Sequence, residues 1–437
     1  MKKKIIVLII IFVFIVLLIL GILYFNYSLE VTSIKVINFN NETNELTIEI
    51  AKKNNIFNKD FSCILFNNDN KITGKSKDNT CILTFTIGNV YNLILEDKYK
   101  KSIHYNLLDY LDNTLEFKFT YDTIYMVVDE VKKLEYSFKS IDGNIDDFYI
   151  NSNIITVEND IITAKNVGSA VITYGNSNLN VIVTNLITNP IISSKEILPC
   201  NKYTEEEGIL IDNILEYKIN EAGYKTRAGV VAAARFLTLQ FPYKIPYFYE
   251  NGRVNNTGVN FADGEGRYYH KGLYLTNSKK NNIIASVSGP CIWGCPLYNW
   301  EDDQEYGYIW GKKKPNGLDC SGFVSWVLYN GGFDPGDLGA GDSISNDEMT
   351  DLGEFRMLTN SLINSDIIKA GDLVNFWGHI AIIIGIDDEN YYVAESLQNF
   401  GGVVVNTYKK TNINKMFKYV VLMDSYYQND GNYTKYW

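Results

Sequence analysis

Histidine is scarce in this sequence of 437 residues, with three copies, at positions 104, 270 and 379. Imidazole is the commonest side-chain ligand for transition metals, so this scarcity excludes a site built from several histidines, and no metal or cofactor is expected. Proline is also scarce, with eight residues, while hydrophobic residues make up 46% of the chain, which excludes a largely disordered protein. Basic residues number 40 against 51 acidic ones, and the resulting net charge of −11 excludes electrostatic attraction to nucleic acid.

An uncharged apolar run occupies residues 5–25, in a chain whose length predicts roughly two to four domains. As a helix the run would span roughly 30 Å, the hydrocarbon thickness of a bilayer. Lys2, Lys3 and Lys4 precede it, so the positive-inside rule places the N-terminus in the cytoplasm and residues 27–437 outside. A cleaved signal peptide is the alternative, but it requires a small-x-small cleavage site that the run lacks. The prediction is a single-pass cell-membrane protein with residues 1–26 as its cytoplasmic tip and anchor.

Six cysteines are present, at positions 63, 81, 200, 291, 295 and 320. Cys63 and Cys81 flank a predicted strand–turn–strand pair outside the cytosol, which favours a structural disulfide between them. Cys291 and Cys295 either close a tight loop or form half of a zinc site, for which a second cysteine or histidine pair is missing. The pairing of Cys200 stays open.

Two β-rich segments follow the apolar run. Residues 27–112 alternate short β-type runs with turns rich in Asn, Asp and Lys, which predicts a β-sandwich. Residues 113–185 show a strand spacing of about ten residues, as in a second sandwich. This second segment resembles the bacterial Ig-like group 2 domain in three motifs: Ile-Thr-Val at 155–157, Ile-Thr-Ala at 162–164 and Gly-Ser-Ala-Val-Ile-Thr at 168–173. The resemblance implies a stalk or adhesive spacer, with ligand binding as the alternative.

Residues 186–203 lack strong periodicity and are predicted to be a linker. The composition then changes, because Thr204 and Glu207 form a capping box that opens an amphipathic helix. A second helix, rich in alanine, ends before Pro242. Two helices ahead of a mixed segment predict an α+β domain over residues 204–437.

The stretch 317–332 carries the clearest chemical signal. Asp319 is a favourable N-cap residue and is followed by apolar residues at helical spacing, so Cys320 lies on the first turn of a predicted helix that ends at Gly331. Unpaired backbone N–H groups and the positive end of the helix dipole favour a thiolate there. Cys320 is therefore a candidate nucleophile, and a buried inert cysteine is the alternative.

Residues 370–385 are predicted to form strand, turn and strand, with His379 at the start of the second strand. A third strand returns beside His379, which makes this residue the candidate base for Cys320. His270, in a glycine-rich loop, is the weaker alternative. Glu395 and Gln398 on the returning strand are the candidates to orient the imidazole. Glu395 is preferred because a carboxylate also stabilises an imidazolium, but the register of the hairpin leaves both open.

Together these segments resemble the NlpC-type cell-wall cysteine endopeptidases, a papain-like family. The resemblance rests on Asp-Cys-Ser-Gly at 319–322, Gly-Asp-Leu at 371–373, and Gly-His at 378–379 followed by a glycine at 385. It implies that Cys320 is the nucleophile and His379 the base, and that Asp319 and Ser321 help to bind a substrate amine. The third residue of the family is commonly His, Asn or Gln, whereas this chain has Glu395, as in amidase-type relatives. The bond cleaved therefore stays open.

The predicted architecture is multidomain: an N-terminal transmembrane helix, two all-β Ig-like sandwiches and a C-terminal α+β papain-like cysteine peptidase domain. The resemblance implies hydrolysis of amide bonds in peptidoglycan stem peptides or cross-links through an acyl-enzyme, with the Cys320 backbone N–H as one oxyanion donor. The expected partners are peptidoglycan peptides and the membrane. A wall-binding or adhesive scaffold with an inactive peptidase-like domain is one alternative, and a thiol acyltransferase is another.

Loops before Cys320 contain three further aromatic candidates, Trp293, Tyr308 and Trp310. They would either line a cleft or pack in the interior. The acidic run at 301–305 lacks EF-hand spacing, so a solvated loop is preferred to a calcium site.

Overall fold

The protein contains two units of structure, each described by itself below. The computed structural model describes residues 2–25, 29–53, 61–66, 70–88, 92–97, 100–145, 147–248, 254–255, 271–277, 284–285, 292–298, 312–335, 338 and 352–437. The N-terminal unit comprises Met1–Thr123, Lys132–Ile162 and Ala170–Val181. The C-terminal unit comprises Ile124–Val131, Thr163–Ser169 and Ile182–Trp437.

The apolar run near the N-terminus is helical, and helix α1 covers Lys2–Phe25. Among the residues described, no helix has the length and apolar character that crossing a membrane requires.

The first β-rich segment forms two four-stranded sheets around one core. Its strands are β1 (Val31–Asn40), β2 (Glu45–Lys52), β3 (Phe61–Phe66), β4 (Lys71–Thr73), β5 (Lys75–Lys77), β6 (Thr80–Thr86), β7 (Asn92–Asp97) and β8 (Ser102–Asn106). The sheets run in the orders β1-β2-β6-β5 and β4-β3-β7-β8. In β6 every second side chain is buried, Cys81, Leu83 and Phe85, as expected for a strand with one face on a core. Cys63 and Cys81 form a disulfide inside that core, which confirms the predicted pairing.

The second β-rich segment contributes nine strands. They are β9 (Thr114–Phe119), β10 (Thr123–Val127), β11 (Val131–Lys133), β12 (Tyr136–Ser140), β13 (Tyr149–Ile150), β14 (Ile155–Glu158), β15 (Ile161–Ala164), β16 (Gly168–Tyr174) and β17 (Ser177–Thr184). The sheet orders are β10-β17-β16-β13, β11-β15-β14 and β12-β9. Each of the three motifs that carried the Ig-like resemblance lies on a strand, respectively β14, β15 and β16.

Two helices begin the α+β part of the C-terminal unit, as predicted. Helix α2 (Glu205–Ala222) starts with a capping box in which Thr204 and Glu207 bond each other's backbone N–H. Helix α3 (Arg227–Arg235) is capped by Thr226 and continues as a π-helical turn, Phe236–Gln240. The predicted second helix is therefore α-helical only over its first part.

The segment predicted to be a linker packs within the C-terminal unit. Leu198 is buried, and its N–H donates to the Lys244 carbonyl at 2.9 Å. Cys200 forms a disulfide with Cys295. The alternative in which Cys295 closes a tight loop with Cys291 is therefore wrong, and Cys291 itself lies outside the described residues.

A six-stranded antiparallel sheet forms the centre of the C-terminal unit, in the order β22-β27-β23-β24-β25-β26. Its strands are β22 (Glu354–Met357), β23 (Leu373–Phe376), β24 (His379–Ile386), β25 (Asn390–Leu397), β26 (Gly402–Lys409) and β27 (Tyr419–Leu422). Smaller strands precede it: β18 (Val254–Asn255), β19 (Ile284–Ala285), β20 (Pro296–Tyr298) and β21 (Lys313–Pro315). The remaining helices are α4 (Cys320–Asn330), α5 (Asn360–Ile363), α6 (Ile413–Met416) and α7 (Asp424–Tyr427), with a 3₁₀ turn at Gln398–Phe400.

Strand β24 is buried along its whole length, because both faces of the sheet are covered. Ile380 and Ile382 share one core with Phe323 of helix α4. Ala381 and Ile383 point into the opposite core, formed with segments around α5 and α6. The start of β24 and the start of α4 thereby come together at one end of the sheet.

Candidate active site

Cys320 is the first residue of helix α4, as predicted. The Asp319 side chain caps this helix, and its Oδ1 accepts from the Gly322 N–H at 2.7 Å and from the Ser321 hydroxyl at 3.2 Å. Cys320 is a reduced thiol with 7% of its surface exposed. The positive end of an 11-residue helix stabilises negative charge on this sulfur, which is the condition for a reactive thiolate.

The Cys320 sulfur lies against the hairpin that carries His379. Its Sγ is 4.0 Å from the carbonyl oxygen of Gly378, the residue before the histidine. Phe376 and His379 pair across β23 and β24, so Trp377 and Gly378 form a two-residue turn. Gly378 has a φ of +75°, a conformation that glycine adopts without strain. The tight turn therefore fixes the position of His379 relative to the sulfur.

Glu395 on β25 contacts the imidazole. Its Oε2 is 2.7 Å from Nε2 of His379, and 2% of the histidine and 1% of the glutamate are exposed. Glu395 therefore contacts the ring through Nε2 and not through Nδ1. Gln398, the other candidate from the sequence, starts the 3₁₀ turn that follows β25. The structure thus brings Cys320, His379 and Glu395 to one end of the sheet.

Two further side chains reach Glu395 from β26, and sequence reasoning missed both. The Asn406 amide and the Tyr408 hydroxyl each donate to Oε1 of Glu395 at 2.7 Å. Burial, reinforced by the negative charge of Glu395, raises the pKa of Tyr408. The signal in the sequence was the placement of two hydrogen-bonding residues, two positions apart, on one face of a predictable strand.

Aromatic rings fix the plane of the His379 imidazole. The Phe417 ring stacks on it with centroids 6.1 Å apart and an interplanar angle of 24°. Phe376 lies on another side at 5.1 Å, and Tyr408 packs edge-on against Phe417. The backbone is held as well, since the Asn375 amide donates to the His379 carbonyl at 3.0 Å. The histidine is therefore restrained in both ring and backbone.

Trp377 lies two residues before His379 in the sequence. It occupies the turn before Gly378 and His379, and 70% of its surface is exposed. Sequence reasoning did not single it out, because a tryptophan in a turn carries no signal by itself. An exposed apolar ring next to a reactive group offers a contact surface for substrate.

Asp372, of the Gly-Asp-Leu motif, belongs to a separate buried cluster. Arg227 of α3, with no exposed surface, donates from Nη1 to Asp372 at 2.8 Å and from Nε to Asp430 at 2.9 Å, and from Nη2 it contacts Asp424. Burial opposes the charged guanidinium, but the neighbouring Asp372 charge outweighs it and raises the pKa of Arg227. The role of Asp372 is therefore to tie α3 to the sheet.

Several other sequence candidates are not part of this site. Trp293 is buried against Tyr274 and Trp326, so it packs in the interior and does not line a cleft. His104 lies on β8 of the N-terminal unit. Within the described ranges no group of three or more potential ligands could hold a metal ion. The remaining candidates lie outside the described residues: His270, Tyr308, Trp310 and the acidic run 301–305.

Comparison with known proteins identifies the C-terminal domain. The model of the NlpC/P60 family matches residues 305–421, so the resemblance predicted for this region is confirmed and the domain is an NlpC/P60 domain. The match indicates a cell-wall peptidase-like function. The predicted Ig-like group 2 domain has no family match and stays a prediction.

Other comparisons add little. No curated protein matches the chain significantly. Among solved structures, the S-layer protein rSbsC(31-844) is 12% identical with a TM-score of 0.16, covering 38% of this chain and 30% of that one. Surface layer protein SbsC, domains 1-6, is 14% identical with a TM-score of 0.13, covering 40% and 29%. This chain thus spans less than a third of either structure, and TM-scores this low carry no argument about fold or function.

Proposed function

We propose that the C-terminal unit is a cysteine hydrolase that cleaves amide bonds in peptidoglycan stem peptides or cross-links. One observation carries the proposal. A reduced thiol at a helix start lies 4.0 Å from the backbone of the residue before His379, whose imidazole bonds a buried carboxylate at 2.7 Å. A thiolate, an imidazole and an orienting carboxylate are the groups that nucleophilic amide cleavage requires.

The mechanism is acyl transfer to sulfur. The Cys320 thiolate attacks the amide carbonyl, and the charge that develops on its oxygen is stabilised by the Cys320 backbone N–H at the positive end of α4. The His379 imidazolium gives its proton to the departing amine as the C–N bond breaks, which leaves a thioester on Cys320. His379 then accepts a proton from water, whose oxygen attacks the thioester and releases the acid and the thiolate. Glu395 keeps Nδ1 directed at the reacting atoms.

The NlpC/P60 match supports the proposed substrate class. In the proposal, Asp319 and Ser321 help to bind a substrate amine, as their place in the Asp-Cys-Ser-Gly motif implies. Both side chains are buried and hydrogen-bonded to each other, and Asp319 also caps α4. Changing Asp319 therefore affects the helix start as well as any bound amine, and Ser321→Ala is the cleaner test of binding.

The proposed location is outside the cytoplasm, at the cell membrane. The apolar run at 5–25 and the three preceding lysines support this location. Protease added to intact cells with a permeable wall would then digest residues 27–437. Protection of these residues until the membrane is broken would contradict it.

The decisive experiment compares full-length protein with Cys320→Ala and His379→Ala on defined muropeptides, with products read by mass spectrometry. We expect each variant to lose roughly 10³-fold or more of the cleavage rate. Ser325→Ala, on the same helix, is the matched control, because its buried hydroxyl has no hydrogen-bond partner among the residues that the structure describes, and its removal should leave the rate unchanged. Full activity in Cys320→Ala would contradict the proposal, and joined instead of hydrolysed peptides would assign a thiol acyltransferase.

A further inference from the structure

The Glu395 carboxylate is buried, and its two oxygens have different partners. Oε2 faces His379, and Oε1 accepts from Asn406 and Tyr408. Its only ion pair among the described residues is the one with His379. Because buried polar atoms require hydrogen-bond partners, the two neutral donors satisfy the carboxylate oxygen that does not face His379.

We propose that Asn406 and Tyr408 are positioning residues, whose two hydrogen bonds hold the Glu395 carboxylate in the orientation in which its Oε2 meets the His379 imidazole. This inference rests on the proposed function, since it concerns how the Cys320–His379 pair is kept ready for reaction. It adds two residues of β26 that the Cys–His–Glu arrangement does not contain.

The sheet register supports this role. Residues 390–397 of β25 pair with residues 402–409 of β26, and Glu395 lies opposite Val404. Asn406 and Tyr408 follow Val404 at intervals of two, so their side chains leave the same face of the sheet. Both donors therefore reach one oxygen of Glu395 from a regular ladder, where backbone bonds limit their movement.

The Tyr408 hydroxyl is suited to be a permanent donor. Its pKa is raised by burial and by the Glu395 charge, so it stays protonated in the neutral range. Among the described residues, the titratable groups that contact the Glu395 carboxylate are His379 on β24 and Tyr408 on β26, while Asn406 is neutral. Loss of the Tyr408 hydroxyl should change the electrostatics at His379 without adding a charge.

The split between kcat and KM is the readout that separates this role from a merely structural one. With one donor fewer, the Glu395 carboxylate is held less firmly, so the imidazole is less well oriented toward the reacting atoms. A loss of orientation lowers kcat, whereas a structural defect alone lowers the free energy of unfolding and leaves kcat per folded molecule unchanged.

The test uses full-length Tyr408→Phe, which keeps the ring against Phe417 and removes the hydroxyl. We expect kcat on a muropeptide to fall about 10-fold with KM nearly unchanged. Tyr391→Phe is the matched control. Tyr391 lies directly opposite Tyr408 in the sheet, and its buried hydroxyl donates to the Ile363 carbonyl at 2.8 Å, remote from Glu395. It should lose stability without any change in kcat.

Asn406→Asp supplies a second test with almost no change of shape. The substitution replaces a neutral donor to Oε1 by a second carboxyl group at hydrogen-bond distance, and repulsion between the two groups displaces Glu395 from His379. We expect kcat/KM at neutral pH to fall by about 10²-fold, more than in Tyr408→Phe.

Alkylation of Cys320 by iodoacetamide, read on its peptide by mass spectrometry, needs no substrate and separates two failures. A wild-type sulfur that is unreactive at pH 6 would overturn the proposed function itself. A reactive wild-type sulfur, with kcat unchanged in both Tyr408→Phe and Tyr391→Phe, would overturn the positioning role alone. A kcat that falls in Tyr408→Phe and not in Tyr391→Phe supports it.

Discussion

The first β-sandwich and the C-terminal unit fill their interiors differently. In the sandwich the core is apolar and closed by the Cys63–Cys81 disulfide, and its two buried charged residues, Lys52 and Asp97, lie at strand ends. The C-terminal unit buries charged groups in the middle of its structure, among them Arg227 and Glu395. Burying a charged side chain costs free energy, so such residues are kept where the positions of side chains must be fixed. In this protein they are concentrated in the C-terminal unit.

Within the C-terminal unit, two buried ionic clusters differ in what they leave open. The Arg227 guanidinium donates hydrogen bonds to three carboxylates and to the Ala370 carbonyl. In the His379–Glu395 pair the carboxylate contacts only Nε2 of the ring, and the proposed mechanism assigns Nδ1 to the thiol. The Arg227 cluster stabilises the fold, whereas the proposed role of the His379–Glu395 pair is in catalysis.

The largest effect should come from breaking the Arg227 cluster with Arg227→Met. Removal of one partner leaves Asp372 buried without its cation, so we expect the free energy of unfolding to fall by about 3–5 kcal/mol. Urea unfolding measures it. Arg356→Met is the control, because Arg356 pairs with Glu354 on the surface and its loss should not be measurable. Equal effects in both variants would contradict the distinction between buried and exposed pairs.

Removal of the sandwich disulfide with Cys63→Ala and Cys81→Ala should have a smaller effect. The two cysteines are 18 residues apart, and closing a loop of that size contributes about 3 kcal/mol. We expect the N-terminal unit to melt earlier in calorimetry, while muropeptide cleavage at 25 °C is unchanged. A parallel loss of cleavage would show that the apolar core is required for the chemistry.

Lys195 provides a pH test of charge burial in the C-terminal unit. Its Nζ donates to the Thr238 and Phe241 carbonyls, each at 2.6 Å, and burial lowers its pKa from 10.5 to about 8. Between these values the unfolded chain holds a proton that the folded protein has lost, so the free energy of unfolding rises with pH across that window. Lys195→Met should lack this rise in denaturant titrations. Identical slopes in both proteins would disprove burial of the amine.

The smallest effect is expected from Trp377→Ala, which removes an exposed ring beside a buried site. If the indole contacts substrate, KM should rise by about 3- to 10-fold while kcat and stability stay near their wild-type values. Trp377→Phe should retain most of the binding. An unchanged KM in both variants would exclude the contact.

The parts of the site that the sequence predicts depend on patterns within short stretches of the chain. Asp319 as N-cap, Cys320 on the first turn and His379 at a strand start each depend on neighbours within a few residues. Glu395 is preferred to Gln398 because of its charge, and the observed register of the hairpin brings it to His379.

The rest depended on distant pairings, which local patterns do not encode. Cys200 and Cys295 are 95 residues apart, and disulfide connectivity cannot be deduced from the number of cysteines. Arg227 meets Asp372 from 145 positions away. Asn406 and Tyr408 reach Glu395 because of the register between β25 and β26. A shift of this register by one residue would turn both side chains to the opposite face of the sheet.

The most direct measurement of the central claim is the rate at which iodoacetamide labels Cys320 near pH 6 in wild-type protein and in His379→Ala. An ordinary thiol is almost fully protonated at that pH, whereas a thiolate paired with imidazolium is not. The account predicts rapid labelling of the wild type and a rate at least about 10-fold lower in His379→Ala. Equal rates in the two proteins would show that His379 does not act on this sulfur.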